Sequence, residues 1–262
     1  MEAAAAQQVA IPLRNTAMPR ARAMLRDVSS GQMVCSSCNV KEKCLVADLD
    51  ADTMRQLEAL VKTRIRLRKG DTLYRAGGPF GALYAIRSGS LKTVLLAEDG
   101  REQVAGYHMP GEVVGLDGIG NDVHDCQAMA LEDSEVCALP FESIAQVARD
   151  SAAFQHNLHR YLSREIARQR TLMLLLGTMR AEQRLAAFLL DLSQRYQARG
   201  YSSSEFVLRM TREEIGSYLG LKLETISRLL SRLQQEGLIQ VQGRVVKLLE
   251  RPALKQLVVQ SG

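Results

Sequence analysis

Met210-Thr-Arg-Glu-Glu-Ile-Gly-Ser-Tyr-Leu-Gly220-Leu-Lys-Leu-Glu-Thr-Ile-Ser-Arg-Leu-Leu-Ser-Arg-Leu-Gln-Gln-Glu-Gly237 is the stretch on which the reading of this chain turns. Thr211 and Glu214 stand three apart, the spacing of a capping box, so a helix starts there. Gly220 allows a tight turn, and a second helix runs to Gly237, a C-cap glycine. Ile215, Leu219, Ile226, Leu229, Leu230 and Leu233 face one another across the pair. This leaves Glu224, Thr225, Ser227, Arg228 and Arg232 on the outer surface of the second helix, the layout of a helix-turn-helix with a polar recognition face. Ile239-Gln-Val-Gln-Gly243-Arg-Val-Val-Lys-Leu-Leu249 follows as a hairpin, a small wing.

Paired helices with a glycine turn also occur in proteins that never touch DNA. Here the outer face carries base-reading side chains and a wing follows directly, so the partner expected is double-stranded DNA. Arginine donates two bonds to guanine O6 and N7, and glutamate accepts from cytosine N4. Glu224 and Arg228, one turn apart, either read adjacent bases or brace each other as an i,i+4 ion pair. Charge agrees. The chain carries a formal +5, and residues 171–262 hold 13 Lys and Arg against 8 Asp and Glu, so the excess lies in the C-terminal third.

Upstream of this pair, residues 181–199 read as a helix with Leu185, Phe188, Leu189 and Leu192 inward. Before it, Phe154, Leu158, Leu162, Ile166, Met173 and Leu176 recur at helical spacing. A helix from Ser151 to Leu176 runs roughly 39 Å, and its narrow seam suits pairing with its own copy in a homodimer. The plainer alternative is a helix packed only against its own chain. From Ile65 to Leu139 the pattern is different. Thr72-Leu-Tyr, Leu83-Tyr-Ala-Ile, Ser90 to Leu96, Gln103 to Tyr107 and Glu135 to Leu139 are short β-like runs punctuated by glycines, which predicts a small barrel of the jelly-roll type. Residues 45–62 have helical spacing in Leu45, Leu49, Met54, Leu57, Leu60 and Val61.

The remaining signal is Cys35-Ser-Ser-Cys38-Asn-Val-Lys-Glu-Lys-Cys44, with three of the five cysteines in ten residues. Such a polar loop can curl its sulfurs around one inorganic centre, with a fourth thiolate from Cys126 or Cys137. An odd cysteine count without a signal peptide argues for a reducing cytoplasm and a metal or redox role rather than a disulfide framework. A structural zinc site and a regulatory thiol/disulfide pair are the alternatives. No apolar run reaches the roughly 20 residues that span a bilayer, so no membrane partner is expected. The arginine-rich residues 1–30 read as a flexible arm. His108, His124, His156 and His159 have no carboxylate partner at catalytic spacing, and no enzyme is expected.

These residues together resemble the CRP/FNR superfamily of bacterial transcription regulators. The glycine-punctuated β-roll, the long helix and Glu224-Thr-Ile-Ser227-Arg228 on a winged helix-turn-helix carry the general likeness. The cysteine loop and a distant Val136-Cys137-Ala-Leu-Pro140-Phe141 point to the FNR (fumarate and nitrate reduction regulator) branch. The resemblance implies an α+β chain: a flexible arm (1–30), a cluster-binding jelly-roll sensor domain (31–145), a dimerisation helix (146–177) and a winged helix-turn-helix domain (178–262).

By that resemblance Cys35, Cys38, Cys44 and Cys137 ligate an oxygen-labile [4Fe–4S] cluster, and Cys126 has no counterpart role. It implies a homodimer pairing through Leu158, Leu162, Ile166, Gln169 and Met173, and RNA polymerase as a further partner. It implies a TTGAT-N4-ATCAA-like palindrome read by Glu224, Ser227 and Arg228, with Thr225, Lys222 and Arg232 alongside. Two departures stand out. Lys222 occupies a helix N-cap where relatives often have Thr or Ser, and Gln169 stands where relatives can carry an acid. The cyclic-AMP branch clamps phosphate with an arginine after a motif like Pro110-Gly111-Glu112. No arginine lies between Glu102 and Ala148 here, so no cyclic nucleotide is expected.

Overall fold

The computed structural model describes residues 26–27, 35–60, 63–97 and 99–259. The expected arm falls almost wholly outside these residues, as does Val61. The described elements are β1 (Arg26–Asp27), α1 (Ala51–Leu60), β2 (Thr63–Leu67), β3 (Thr72–Tyr74), β4 (Ala82–Ser88), β5 (Leu91–Leu96), β6 (Glu102–His108) and β7 (Val113–Val114). After these come β8 (Gln127–Ala130), β9 (Ser134–Pro140), α2 (Phe141–Asp150), α3 (Ala152–Thr178) and α4 (Ala181–Gln197). The chain ends with β10 (Glu205–Val207), α5 (Arg212–Leu219), α6 (Leu223–Gln235), β11 (Ile239–Gln242), β12 (Val245–Leu248) and α7 (Arg251–Val259).

Two antiparallel sheets, ordered β1-β2-β9-β4-β7 and β3-β8-β5-β6, face each other. Strand side chains alternate, so each strand of the first sheet has an inner and an outer row. Ile65, Ile86 and Val136 point inward to the second sheet, joining Leu91, Ala128 and Ala130. The outer row of the same strands carries Leu83, Ala85, Cys137 and Leu139. Leu83, Ala85 and Leu139 are covered by Leu45, Val46, Leu57, Ile144 and Phe154. The first sheet is therefore buried on both faces at one end. Cys137 lies in this outer row, opposite Arg64 of β2 and Ala85 of β4.

The expected helix over residues 45–62 is shorter. Residues 45–48 run as turns, and α1 starts only at Ala51, where Asp50 accepts from the Thr53 backbone N–H (2.8 Å). Leu45, Val46 and Ala47 are nonetheless buried. Their apolar spacing reflects a packed loop, which periodicity does not distinguish from a helix. The strands β7 and β8 carry too short or too mixed a pattern to be read in advance, and α7 was likewise not expected.

Ser151 separates α2 from α3 and caps the latter, accepting from Phe154 N–H (3.3 Å). Along α3 the supposed single stripe divides. Residues at four-residue spacing precess by about 40° per step. Phe154 accordingly lies in the core and Leu158 packs at its edge, while Ile166 and Met173 are 54% and 72% exposed, beside exposed Leu174.

Arg184 fastens the end of α3 to the C-terminal domain, donating to the carbonyls of Leu176 (2.7 Å), Met179 (2.9 Å) and Leu219 (3.1 Å). These are among the carbonyls a helix C-terminus leaves without an internal partner. The same domain is docked on the β-roll. Lys92 Nζ meets Glu214 Oε1 at 2.7 Å, and Val104 N–H donates to Ser217 Oγ at 2.9 Å. Val104, Tyr107 and Met109 share one core with Leu185, Phe188 and Ile215.

Candidate metal centre and nucleic-acid interface

The cysteine loop is a string of tight turns. Cys38 N–H donates to Cys35 O (3.1 Å) and Cys44 N–H to Lys41 O (3.1 Å), around a 3-10 turn at Lys41–Lys43. Ser36 N–H is held by Glu58 Oε1 of α1 at 2.8 Å. The loop thus lies against the outer face of the first sheet, where Cys35, Cys44 and Cys137 pack on the same core. All four thiols are half-buried and free.

Burial pushes the Cys35, Cys44 and Cys137 thiols up to about 11, and mutual repulsion adds to it. Cys35 is raised by Cys137 and Cys38, Cys44 by Cys35 and Cys38, and Cys137 by Cys44 and Cys38. The arginines Arg64 and Arg87 pull Cys137 the other way. Among the described residues no three His, Cys, Asp or Glu side chains are gathered tightly enough to hold a metal ion. The donor set nevertheless fits an iron–sulfur group: four thiols from two distant segments, each within electrostatic reach of others and free of disulfides.

Cys126 is elsewhere. It lies inside the roll, its Sγ 3.4 Å from Asp117 Oδ2, beside His124, which stacks on Tyr74 at 3.8 Å. Burial first, then Asp117, raises its thiol strongly. A buried neutral thiol of this kind packs as a small apolar group.

Asn157 is a residue the sequence reading missed. It is buried on α3 and its Nδ2 donates to the carbonyls of Leu45 (3.3 Å) and Ala47 (2.6 Å), directly after Cys44. Thr53 Oγ1 and Ser151 Oγ, 3.2 Å apart, make a second link between α1 and the start of α3. Asn157 stands three residues after Phe154 and so on the same face of the helix, and a polar residue at that position was the available signal.

The capping box of α5 is formed as expected, with Thr211 and Glu214 each bonding the other's backbone N–H (3.1 and 2.6 Å). At the turn, a Cβ on Gly216 would lie 2.6 Å from the Leu221 carbonyl, and Gly220 has φ +64°, so both positions need glycine. Ile226, Leu230 and Leu233 turn inward on α6, while Glu224 and Arg228 are exposed and no bond ties either to another described residue. The i,i+4 brace between them is thus not made. Thr225 and Ser227 are half-buried, and Ser227 Oγ accepts from Arg212 (3.3 Å). Arg232 is engaged on its own chain, with Glu236 at 2.9 Å and Glu182 at 3.4 Å. Lys222 sits at the N-cap and makes no side-chain cap, as its chemistry requires. The wing β11–β12 pairs in the register Gln242↔Val245, with β10 as a third strand.

Glu112 is the most heavily bonded charge between the domains. It meets Arg199 at 2.6 Å, Arg195 at 2.8 Å and Arg168 at 3.4 Å. Burial alone would raise its carboxyl, but the three guanidiniums outweigh that and hold it well below the usual carboxylate range.

Residues 183–257 match the Crp-like helix-turn-helix domain family, and residues 64–151 match the cyclic nucleotide-binding domain family. A Bordetella pertussis protein described as transcriptional regulatory protein btr is 51% identical over 227 residues, 87% of this chain and 94% of its own. The fumarate and nitrate reduction regulatory protein of Escherichia coli K12 is 40% identical over 241 residues, 92% of this chain and 96% of its own. Among solved structures, FixK2 from Bradyrhizobium japonicum is similar at a TM-score of 0.70 and 31% identity, covering 76% of this chain and 98% of that one. Fold, helix-turn-helix and relatives agree: the chain belongs to the CRP/FNR family of DNA-binding transcription regulators, close to the FNR and Anr proteins, and is not an enzyme.

Proposed function

We propose that this protein is an oxygen-responsive regulator of transcription that acts as a homodimer while a [4Fe–4S] cluster is held by Cys35, Cys38, Cys44 and Cys137. The observation that carries this is the meeting of the cysteine loop and Cys137, which are some ninety residues apart in the chain, on one patch of the outer sheet face. When bound, the cluster supplies a cross-link that molecular oxygen destroys.

The protein's own residues turn that cross-link into a DNA response. Tethering Cys44 to Cys137 closes a long loop and removes several kcal/mol of chain entropy from alternative arrangements, by the model used for disulfides. The turn after Cys44 is bonded to Asn157 of α3, so fixing the loop fixes the first turns of the long helix. The exposed Ile166, Met173 and Leu174 are apolar area available to a second copy, with Gln169 in the same segment. Gln169 donates to Glu165 (3.1 Å) and adds no charge. A cluster-free dimer then persists more readily than where an acid stands there, and a monomer by sedimentation in air at micromolar concentration would exclude this.

Two half-sites bound by one dimer gain from effective concentration, which is lost with the dimer. Glu224, Ser227 and Arg228 read the TTGAT-N4-ATCAA-like palindrome, Thr225 and Lys222 flank them, and RNA polymerase is the downstream partner. Arg232 contributes less, being paired twice already. No cyclic nucleotide is bound: Glu112 is saturated by Arg168 of α3, Arg195 of α4 and Arg199 just beyond α4. Cytoplasmic location follows from the DNA partner and the free thiols.

The test is anaerobic purification with a visible spectrum and iron and sulfide analysis, then admission of air. A brown protein with about four irons and four sulfides per chain that bleaches in air is expected. Colourless protein containing zinc, or no metal and a disulfide, would keep the DNA-binding fold and remove oxygen sensing by a cluster. Cys137→Ser is expected to abolish anaerobic specific binding while Cys126→Ser leaves it, and full affinity in Cys137→Ser would refute the coupling.

A further inference from the structure

Beside Cys137 the outer face of the first sheet changes from apolar to charged. Glu135, two residues before Cys137 and in the same outward row of β9, has a side chain only 13% exposed. It receives Arg87 Nη1 at 2.8 Å, with Arg64 Nε and Arg66 Nε each at 3.6 Å. Arg64 is the direct cross-strand partner of Cys137, and Arg87 lies two residues beyond its other partner, Ala85. Arg87 is also within electrostatic reach of the Cys38 side chain. The guanidiniums of Arg64 and Arg87 thus lie on the thiol side of the sheet, within electrostatic reach of Cys137, with Glu135 between them and Glu58 on the far side of the loop, bonded to Ser36 N–H.

Four thiolates around an iron–sulfide core make a net anion, and the potential of such a group follows the charge around it. We infer that Arg64 and Arg87 are positioning residues that supply the counter-charge for the cluster and so set how readily it is oxidised, with Glu135 moderating them. The inference rests on the proposed cluster. Its sign is fixed by electrostatics. Removing a nearby positive charge makes an anion easier to oxidise, and removing the neighbouring negative charge makes it harder.

The experiment compares the anaerobically reconstituted full-length protein with Arg87→Gln, Arg64→Gln and Glu135→Gln. It reads the reduction potential of the cluster, the rate of bleaching in dilute oxygen, and the thermal unfolding of each cluster-free form. Arg87→Gln and Arg64→Gln are expected to bleach about threefold faster, equivalent to a potential lower by about 30 mV for one electron. Glu135→Gln is expected to bleach more slowly, with a higher potential. These differences should shrink at high salt, because the groups are partly exposed. Opposite signs for the arginine and glutamate variants support the inference, since a purely structural network would make all three variants worse in proportion to their lost unfolding stability. Equal potentials, or shifts of one sign that track unfolding, overturn it while leaving the cluster itself in place. A failure of the unsubstituted protein to assemble any cluster overturns both this inference and the function on which it rests.

Discussion

The side-chain amide of Asn157 donates to the carbonyl of Ala47 at 2.6 Å, joining the long helix to the segment that leaves Cys44. Its carbonyl oxygen in turn accepts from Arg160 at 2.9 Å. A buried amide is costly unless satisfied, and this one is satisfied by the loop that carries the cysteines.

Asn157→Leu removes those bonds and leaves the Leu45 and Ala47 carbonyls unpaired. Stability of the cluster-loaded protein is expected to fall by about 1–3 kcal/mol. The DNA affinities of the anaerobic and air-exposed forms should move closer together. Titration of a labelled palindrome under both conditions measures this, and an undiminished ratio would show that the signal travels another way.

Arg228→Ala should lose roughly 1–3 kcal/mol on the specific site and little on random DNA. Arg228 is exposed and bonded to no other described residue, so no fold stability should be lost with it. Equal losses on both DNAs would reduce its role to a phosphate contact.

Lys222 sits at the N-cap of α6 without capping it. Lys222→Thr is expected to stabilise the domain by about 1 kcal/mol and to weaken DNA binding, with the salt dependence of affinity shallower by about one unit of slope. Chemical denaturation and a salt titration separate the two effects. An unchanged slope would exclude a phosphate contact.

Glu112 and His108 give stability a two-part dependence on pH. Buried His108, whose Nε2 is 3.1 Å from Thr93 Oγ1, is pushed down to about 4 by burial and then by Arg168. It stays neutral in the folded protein where an unfolded histidine takes up a proton. Its contribution is therefore complete above the ordinary value of 6.5 and is lost as pH falls from 6.5 to about 4. Glu112 is depressed further. Its contribution is complete above the ordinary 4.5 and is lost below that as the carboxyl protonates among three guanidiniums. His108→Gln should flatten the upper limb in a series of urea unfolding curves. Glu112→Gln should cost about 3 kcal/mol at neutral pH, because it strands buried arginines. A limb unchanged in His108→Gln would assign it to another group.

Much of the DNA-binding half was legible because its signals are local. A capping box, a glycine turn and inward apolar residues lie within 28 consecutive residues, and each is decided by neighbours a few positions away. The β-roll was legible as a class, but two-residue β7 and the mixed β8 were not, since such strands exist only through their partners. Residues 45–49 show the converse: helical spacing, yet a buried loop, because burial against the sheet satisfies the same apolar residues without a helix. The run from Ser151 to Leu176 lies within two residues of α3 at each end, whereas the dimerisation helix drawn from residue 146 begins inside α2 and runs across the break at Ser151. The faces of α3 were not legible, because a row at four-residue spacing winds round the helix, and only the position of the core says where it goes under.

The amino-acid sequence by itself determined the winged helix-turn-helix, the β-roll class and the loop of three closely spaced cysteines, because those depend on residue type and near spacing. Tertiary structure alone decided that Cys126 points into the roll while Cys137 faces the cysteine loop, and that Arg64, Arg87 and Glu135 surround that patch. It also decided that Asn157 binds the cysteine segment and Glu112 gathers three arginines. Each of these is a meeting of groups far apart in the chain, fixed by strand register and by the need to pair buried polar atoms, and neither can be read along one strand or helix at a time.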